Sequence, residues 1–360
     1  MKKIPIGFIL LTLLCVVALA VRLYKFDNSI AEWFSWRQSD TAAVGRFLIS
    51  DNFNLLKPRY YDLSNIQSGV DNPQGLRMVE FPLYNAAFAL LYNVWPIIAI
   101  EQWGRVVAIL SSLVVLSILY VLLEHEFGKT EAFFGGLFFA LAPYIVFYSR
   151  VVLPDMPAVA LAMLSVYTVY RYSLSKNKLF FILSILFYAL ALLVKPTIIY
   201  YGIIMVYFLM HDKYTSWIKP ILLIVVFLSF SALPVWLWRN YIKAFPEGVA
   251  ASSWLLTSVN TPKGLENIFL RPAFFRWVFY ERISNLILGG YGIVLLILGM
   301  FTTGKQKAYL SGVFLLSALL YLFTFQGGNV QHDYYQIMII PAMTFLVGDG
   351  AGILMRQKKW

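Results

Sequence analysis

The side chains of this chain that could do chemistry are concentrated in a few segments between long apolar runs. The largest such segment, Phe26–Glu80, follows the first apolar run. Loops without a role of their own are usually much shorter, so this segment is expected to be functional. Its charged side chains include Glu32, Arg37, Asp40, Arg46, Asp51, Lys57, Arg59, Asp62, Asp71, Arg77 and Glu80. Carboxylates can serve as general bases and basic side chains can hold anions, so the segment could support group transfer.

Composition indicates what kind of protein positions these side chains. Hydrophobic residues make up 60% of the 360 residues and charged residues only 13%, whereas soluble chains carry about 25% charged residues. Runs near 20 apolar residues recur, each long enough to cross a hydrocarbon core of about 30 Å. They lack the alternating pattern of barrel strands. The sequence therefore predicts an all-α, polytopic helical membrane protein with about ten transmembrane helices and short juxtamembrane helices in its outer loops.

The predicted spans form a single transmembrane domain over residues 1–360. The first span reads as a retained signal anchor, because no clear cleavage site follows it. The single cysteine, Cys15, lies inside this span, so no disulfide framework is expected. The spans are predicted at roughly 4–24, 103–123, 131–149, 155–173, 179–194, 197–210, 219–238, 284–302, 308–325 and 335–354.

The net charge of +11 is scattered over loop ends, which favours a topological role over nucleic-acid binding. The apolar stretch Phe81–Ile100 decides the topology. If it lies at the outer interface without crossing, the basic residues of the later loops fall on the cytoplasmic side, together with Lys2 and Lys3. These residues are Arg171, Lys176, Lys178, Lys213, Lys219, Lys305, Lys307, Arg356, Lys358 and Lys359. We therefore predict outer loops at about 25–101 and about 240–282.

This topology brings a set of ionisable residues to one face of the membrane. Ionisable groups at the ends of spans are costly unless they are paired or wet, so they mark a functional site. Ordinary solvated loop charges are the alternative for each residue taken singly. The set comprises Asp40, Glu80, Arg150, Asp155, Lys195, Arg239, Arg282, His332 and Asp333.

Several short strings, in order and spacing, resemble the C-type-fold glycosyltransferases. The similarity is to bacterial relatives of the family 39 protein mannosyltransferases and to the lipid A aminoarabinose transferases. It covers most of the chain. The strings are Val79-Glu80-Phe81-Pro82-Leu83-Tyr84, Trp103-Gly104-Arg105, Tyr148-Ser149-Arg150 with Pro154-Asp155-Met156-Pro157, Leu193-Val194-Lys195-Pro196, and His332-Asp333-Tyr334-Tyr335.

The first loop departs from the family pattern. Many members begin this loop with Asp-Glu, whereas Arg37 and Gln38 stand at the matching positions here. The nearest carboxylate is Asp40, about one helical turn away, with Ser39 as a candidate N-cap of a helix that starts there. The family pattern thus leaves Asp40 and Glu80 as alternative bases, and Asp40 is the first choice.

The resemblance implies transfer of a sugar from a polyprenyl-phosphate carrier. Such a reaction needs a carboxylate to deprotonate the acceptor and positive groups to hold the departing phosphate. We assign Asp40 as the base and Arg150, Lys195 and Arg239 as phosphate-binding candidates. A lysine in apolar sequence is costly unless an anion awaits it, so Lys195 leads this group, with a snorkelling interfacial lysine as the alternative. It is expected at a helix break before Pro196.

Other substrate and metal contacts are also predicted. Asp155 could orient an arginine or bind the sugar, or else cap a helix. Tyr334 could stack on a sugar face or on lipid, with an aromatic belt at the membrane interface as the alternative. Glu80 and His332 have side chains of the types that bind divalent metals, with a salt bridge as the alternative. The sequence contains no nucleotide-binding fingerprint, so no nucleotide cofactor is expected.

The expected function is therefore that of a membrane glycosyltransferase. It would use a polyprenyl-phosphate sugar and a lipid, glycan or protein acceptor on the external face of the bacterial inner membrane. A glycolipid transporter or flippase is the first rival, but transporters usually carry polar residues at mid-span in repeated halves. A surface-polysaccharide polymerase or ligase is the second rival.

Overall fold

The computed structural model describes residues 5–210, 218–301 and 305–357. The chain is mostly helical, as predicted. Lys2, Lys3, Lys213, Lys358 and Lys359, which entered the topology argument, lie outside the described residues. The α-helices are α1 (Ile6–Arg22), α2 (Ser35–Ser50), α3 (Leu83–Val94), α4 (Ile100–Glu126), α5 (Lys129–Leu141), α6 (Pro143–Tyr148), α7 (Asp155–Ser175), α8 (Lys178–Val194), α9 (Gly202–Met210), α10 (Ile218–Tyr241), α11 (Trp254–Thr257), α12 (Pro272–Phe275), α13 (Ile293–Met300), α14 (Lys305–Thr324), α15 (Gln326–Gln331) and α16 (Ile340–Gln357).

Three described helices are long and apolar enough to cross a membrane. They are Ile100–Glu126, Ile218–Ala244 and Asp333–Arg356, where the second and third include flanking 3₁₀ turns. Shorter apolar helices are Ile6–Arg22, Lys178–Val194, Pro196–Met210 and Tyr309–Thr324. The helical membrane class agrees with this pattern, and the count of ten spans stays a prediction.

Two predicted spans are interrupted. The segment predicted as 131–149 breaks at Pro143, which begins α6 after α5 has ended at Leu141. The segment predicted as 284–302 is also not one helix. A π-helix over Arg276–Ile287 is followed by Gly289 and Gly290, both at positive φ, and only then by α13. Glycine adopts this left-handed conformation readily, so the pair ends the helix.

A β-hairpin departs from the all-α prediction. Strands β1 (Ser258–Thr261) and β2 (Gly264–Asn267) pair antiparallel, with Ser258 opposite Asn267 and Thr261 opposite Gly264. The turn between them is Pro262-Lys263, and Gly264 has a φ of +105°. The turn residues thus favour a local hairpin within the predicted 240–282 loop.

Helix α3 ends after 12 residues, although the apolar stretch that contains it continues to Ile100. At 1.5 Å per residue it is about 18 Å long, which is too short to cross a hydrocarbon core of about 30 Å. Whether Phe81–Ile100 crosses the membrane stays a prediction.

The chain divides into two compact units. The first, here called the loop unit, comprises Lys25–Ser112 and Ser149–Ser252; the second, the terminal unit, comprises Met1–Tyr24, Leu113–Tyr148 and Ser253–Trp360. In the terminal unit, α16 packs against α5 and α13 through glycines. A Cβ atom at Gly350 would lie 1.9 Å from the Leu295 carbonyl oxygen, and one at Gly348 would lie 2.7 Å from that of Glu131. The small residues therefore permit close helix packing.

In the loop unit, the core positions the helices that carry the charged residues. Ala42 of α2 packs with Tyr84 and Phe88 of α3. Gly45 makes this approach possible, because a Cβ atom there would lie 2.1 Å from the Phe88 ring. The Asn85 side-chain amide also donates a 2.7 Å hydrogen bond to the Thr41 carbonyl oxygen. Helices α2 and α3 are thereby locked together beside the loop that precedes α3.

Candidate active site

The hairpin of α7 and α8 brings Asp155 and Lys195 together. Helix α7 begins at Asp155, and α8 ends at Val194, leaving Lys195 extended with a φ of −152°. Lys176, at a φ of 57°, and the Asn177 N-cap form the tight turn between the two helices. Because the helices run antiparallel, the start of α7 meets the end of α8, and Lys195 Nζ lies 3.1 Å from Asp155 Oδ1. The predicted helix break before Pro196 is present.

The loop before α3 places Glu80 beside this pair. The Phe81 backbone N–H donates a 3.0 Å hydrogen bond to the Leu193 carbonyl oxygen, and the Trp238 indole donates one to Val79 at 3.4 Å. Glu80 Oε1 thereby lies 3.6 Å from Lys195 Nζ and accepts a 2.6 Å hydrogen bond from Arg37 Nη2. Lys195 is 5% exposed, so its charge is offset by two carboxylates rather than by water.

The charge state of Glu80 follows from these neighbours. Burial would by itself raise the pKa of Glu80, but the charges of Arg37, Lys195 and Arg77 lower it to about 2. Nearby positive charges favour the ionised carboxylate. Glu80 is thus a fixed anion.

Asp40 is held less tightly on the neighbouring turn of α2. Its Oδ2 lies 3.6 Å from Arg77 Nη2 and 3.5 Å from Gln67 Nε2. Both distances are at or beyond the limit of a good hydrogen bond. Burial, reinforced by the charge of Arg37, lowers the pKa of Arg77. Because of these distances, Asp40 faces the Arg77 guanidinium without forming a direct, hydrogen-bonded ion pair with it, which is here called a closed ion pair.

A pocket in the loop unit exposes both acidic side chains. It is partly open to solvent. Its polar lining comes from α2, from the loop before α3 and from α3 itself, namely Arg37, Asp40, Thr41, Arg77, Glu80, Tyr84 and Asn85. A loosely held carboxylate and two guanidinium groups share one cavity, an arrangement that can deprotonate one group and stabilise negative charge on another.

The local structure of α2 differs from the sequence-based expectation. The helix begins at Ser35, after Phe34 in a left-handed conformation with a φ of 58°. Asp40 and Ser39 therefore lie inside the helix, and the prediction that Ser39 is the N-cap is wrong. The earlier start puts Arg37 and Asp40 three residues apart on one helix face, so both reach the pocket.

Two predicted phosphate ligands lie away from the pocket lining. Arg150 donates to the Lys25 carbonyl oxygen at 3.2 Å and pairs with Glu32 at 3.5 Å. Arg105 pairs with the same carboxylate at 3.8 Å. Arg239 is exposed in the last turn of α10. Neither Arg150 nor Arg239 is among the residues that line the described pocket.

Tyr334 and His332 belong to the terminal unit. The His332 ring stacks on Tyr334 and Tyr335 at centroid distances of 5.3 and 5.7 Å and meets Trp254 edge-on at 5.4 Å. Tyr334 is 2% exposed. Its ring is thus enclosed by protein in this structure, which does not suit stacking on a sugar.

The donor groups present in the described residues do not form the predicted metal site. Within residues 5–210, 218–301 and 305–357, no group of three or more His, Cys, Asp or Glu side chains could hold a metal ion. Glu80 is already surrounded by Arg37 and Lys195, and their positive charges oppose a divalent cation. The arrangement around Glu80 does not fit a metal site.

Arg37, Arg77 and Gln67 were not assigned roles from the sequence. Arg37 occupies the position where related chains carry an acid, and this departure was the available signal. Arg77 precedes the Glu80 string by three residues but has no motif of its own. Gln67 is an uncharged residue in a long loop, which no residue-type argument would select.

A family model of known proteins matches the middle of the chain. Residues 86–238 match the family model of the dolichyl-phosphate-mannose-protein mannosyltransferases. The predicted resemblance to these transferases is confirmed. The matched range includes Arg150, Asp155 and Lys195, whereas Asp40 and Glu80 precede it. No curated protein sequence matches the chain.

Solved structures of membrane transferases share the fold. ArnT from Cupriavidus metallidurans bound to undecaprenyl phosphate has a TM-score of 0.66 at 16% identity, over 94% of this chain and 59% of that chain. The oligosaccharyltransferase AglB from Archaeoglobus fulgidus, in complex with an inhibitory peptide and a dolichol-phosphate, has a TM-score of 0.54 at 10% identity, over 95% and 50%. The A. fulgidus oligosaccharyltransferase complex with Zn and sulfate has a TM-score of 0.50 at 10% identity, over 94% and 48%. The present chain thus spans about half to three fifths of these relatives, and at such identities the likeness establishes the fold.

Proposed function

We propose that this chain is a membrane glycosyltransferase that moves a sugar from a polyprenyl-phosphate carrier to a hydroxyl or amine of a lipid, glycan or protein acceptor. The observation that carries the proposal is the pocket of the loop unit, where Asp40 is loosely held opposite Arg77 and next to Arg37. The mannosyltransferase match and the ArnT-like fold support it.

In the proposed reaction Asp40 takes the proton from the acceptor as its oxygen or nitrogen bonds to the anomeric carbon of the sugar. The bond from that carbon to the phosphate oxygen breaks, and the carrier leaves as an anionic polyprenyl phosphate. Arg37 and Arg77, whose guanidinium groups present paired donors, stabilise the charge that develops on the phosphate. Lys195 contributes from behind Glu80, and Asp155 holds it there.

The other sequence-based assignments have weaker support. Arg150 is engaged with Glu32 and the Lys25 carbonyl oxygen, so it orders the start of the long loop in this proposal. Arg239 and Tyr334 remain proposed substrate contacts without a pocket contact to support them. Transfer is proposed on the external face of the bacterial inner membrane, because that topology satisfies the charge distribution of the loops.

The test is a transfer assay with the full chain purified in a defined detergent. Polyprenyl phosphates carrying different hexoses, pentoses or amino sugars are supplied with a mixture of lipid and peptide acceptors. The proposal expects at least one donor to release free polyprenyl phosphate together with a glycosylated acceptor. Movement of the intact glycolipid across vesicles, without release of polyprenyl phosphate from any donor, would favour the transporter instead.

Topology is tested with cysteine labelling in a Cys15→Ser background. A cysteine at position 176 should react with a membrane-impermeant reagent only from the cytoplasmic side, and one at position 71 only from outside. Labelling at position 176 from outside would move the proposed site to the other face.

A further inference from the structure

The Gln67 side chain lies between Arg77 and Asp40 and contacts both. Its side-chain oxygen accepts a short hydrogen bond from Arg77 Nη1, and its amide nitrogen lies 3.5 Å from Asp40 Oδ2 and 3.3 Å from Asp62 Oδ2. The orientation of the amide is dictated by its neighbours. Arginine can only donate and an ionised carboxylate can only accept, so the oxygen must face Arg77 and the nitrogen must face the acids.

The loop holds Gln67 in place independently of Asp40. The Gln67 carbonyl oxygen accepts a 2.8 Å hydrogen bond from the Ala251 backbone N–H. Asp62 is fixed by hydrogen bonds from the Ser64 hydroxyl at 2.6 Å and the Ser64 backbone N–H at 2.9 Å. The Gln67 backbone is therefore anchored, and Asp62 gives the amide nitrogen a contact that does not depend on Asp40.

We infer that Gln67 is a positioning residue for the general base, which keeps the Arg77 guanidinium from closing onto Asp40. This inference rests on the proposed function. Arg77 Nη1 is committed to Gln67, and Arg77 Nη2 stays 3.6 Å from Asp40. Without the amide oxygen, Arg77 can form a closed ion pair with Asp40, as Arg37 does with Glu80 at 2.6 Å. A carboxylate in a closed ion pair is a weaker base, because the guanidinium stabilises its charged form.

The inference predicts opposite shifts for two substitutions at position 67. Gln67→Leu removes the acceptor for Arg77, so kcat should fall about 10-fold, as expected for a lost hydrogen bond to a charged group, while the donor KM is unchanged. The acid limb of the pH–rate profile should move to lower pH, because the closed pair favours the ionised carboxylate. Gln67→Glu keeps an acceptor for Arg77 but adds a negative charge beside Asp40, so the acid limb should move to higher pH.

The comparison at position 67 isolates this effect from the other charges around Asp40. Gln67→Leu and Gln67→Glu leave all of these groups unchanged. The groups are Arg37 and Glu80 across the pocket, Arg77, Asp62 in the loop and the nearby Tyr60 hydroxyl. Gln74 provides the matched control, since it is an exposed glutamine of the same loop. Gln74→Leu and Gln74→Glu should leave kcat and the acid limb at wild-type values.

The experiment measures kcat, donor KM and the pH–rate profile for the wild type and the four variants, with thermal unfolding as a check on folding. Equal kcat for Gln67→Leu and Gln74→Leu would overturn the inference. So would a loss of activity in both Gln67 variants without a shift of the acid limb, since that pattern indicates a structural role. If Gln67→Leu does not fold, Gln67→Met, which keeps the length of the side chain but has no amide oxygen, should show the same fall in kcat and the same shift to lower pH, and wild-type values in it would overturn the inference. A wild type inactive with every donor would overturn the proposed function and the inference with it, whereas the other outcomes overturn the inference alone.

Discussion

The pocket of the loop unit has two sides that treat similar carboxylates differently. On one side Glu80 accepts a 2.6 Å hydrogen bond from Arg37 and lies 3.6 Å from Lys195. On the other side Asp40 has its nearest described partners at 3.5 and 3.6 Å. The two side chains are about equally shielded, with exposed fractions of 17% and 19%. Burial thus does not distinguish them, whereas the arrangement of cations does.

In the proposed function, this difference separates a structural anion, Glu80, from the reactive one, Asp40. Glu80 is the counter-ion that allows Arg37 and Lys195 to be buried, since an unpaired buried charge is strongly destabilising. Asp40 has an oxygen to offer to a substrate, with Arg77 Nη2 3.6 Å away. The following substitutions test this division of roles, in order of decreasing expected effect.

Asp40→Asn should cause the largest loss of activity. The amide cannot take a proton, so turnover should fall about 100-fold or more, while the thermal unfolding temperature and donor binding change little. Initial rates of transfer measure the effect. Asp71→Asn is the control, because Asp71 is an exposed acid of the same loop. Near-normal turnover in Asp40→Asn would transfer the role of base to Glu80.

Glu80→Gln should mainly reduce stability. Removing its charge leaves Arg37 and Lys195 short of a counter-ion, which should cost about 3 kcal/mol of unfolding free energy. The fall in kcat should be smaller than that of Asp40→Asn. Thermal unfolding in detergent measures the loss, with Glu247→Gln as a control outside the pocket lining. A larger fall in kcat than for Asp40→Asn, with stability unchanged, would reverse the two roles.

Lys195→Ala should weaken donor binding about 5-fold, because Glu80 and Asp155 then add uncompensated negative charge behind the proposed phosphate site. Lys195→Arg should restore only part of this affinity, since a planar fork does not replace a point charge between two carboxylates. Donor affinity at low and high salt is the measurement, and exposed Lys243 supplies the control Lys243→Ala. Unchanged affinity in Lys195→Ala would limit Lys195 to holding the α7–α8 hairpin together.

The smallest expected effect is a pH dependence of stability. The pKa of Glu80 is lowered from 4.5 to about 2, so the folded state favours the ionised form. Its stabilising contribution is therefore complete above pH 4.5 and is lost as the pH falls towards 2. The difference in unfolding temperature between wild type and Glu80→Gln should be constant from pH 7 to 5 and narrow below pH 4.5. A difference that narrows already between pH 7 and 5 would contradict the tight pairing of Glu80.

Several features could be predicted from local sequence because local forces produce them. The apolar runs predict helices, since a helix satisfies its own backbone groups in lipid. Lys195-Pro196 predicts a helix break, because proline cannot donate a backbone hydrogen bond. The loop strings around Glu80 and Asp155 predict the family. In contrast, the start of α2 at Ser35 could not be predicted from the sequence. The residue before it, Phe34, makes no side-chain cap and adopts a left-handed conformation that its residue type does not suggest.

The sequence by itself thus determined the membrane class, the resemblance to these transferases and the choice of Asp40, Glu80, Asp155 and Lys195 as candidates. Only the tertiary structure decided which of them pair. The α7–α8 hairpin brings Lys195 to Asp155, and the hydrogen bond from Phe81 to Leu193 brings Glu80 to both. Packing of Gly45 against Phe88 sets α2, and with it Arg37 and Asp40, against the same cavity. These contacts join residues far apart in the chain, and whether a carboxylate is a closed counter-ion or an available base depends on differences of about an ångström between them.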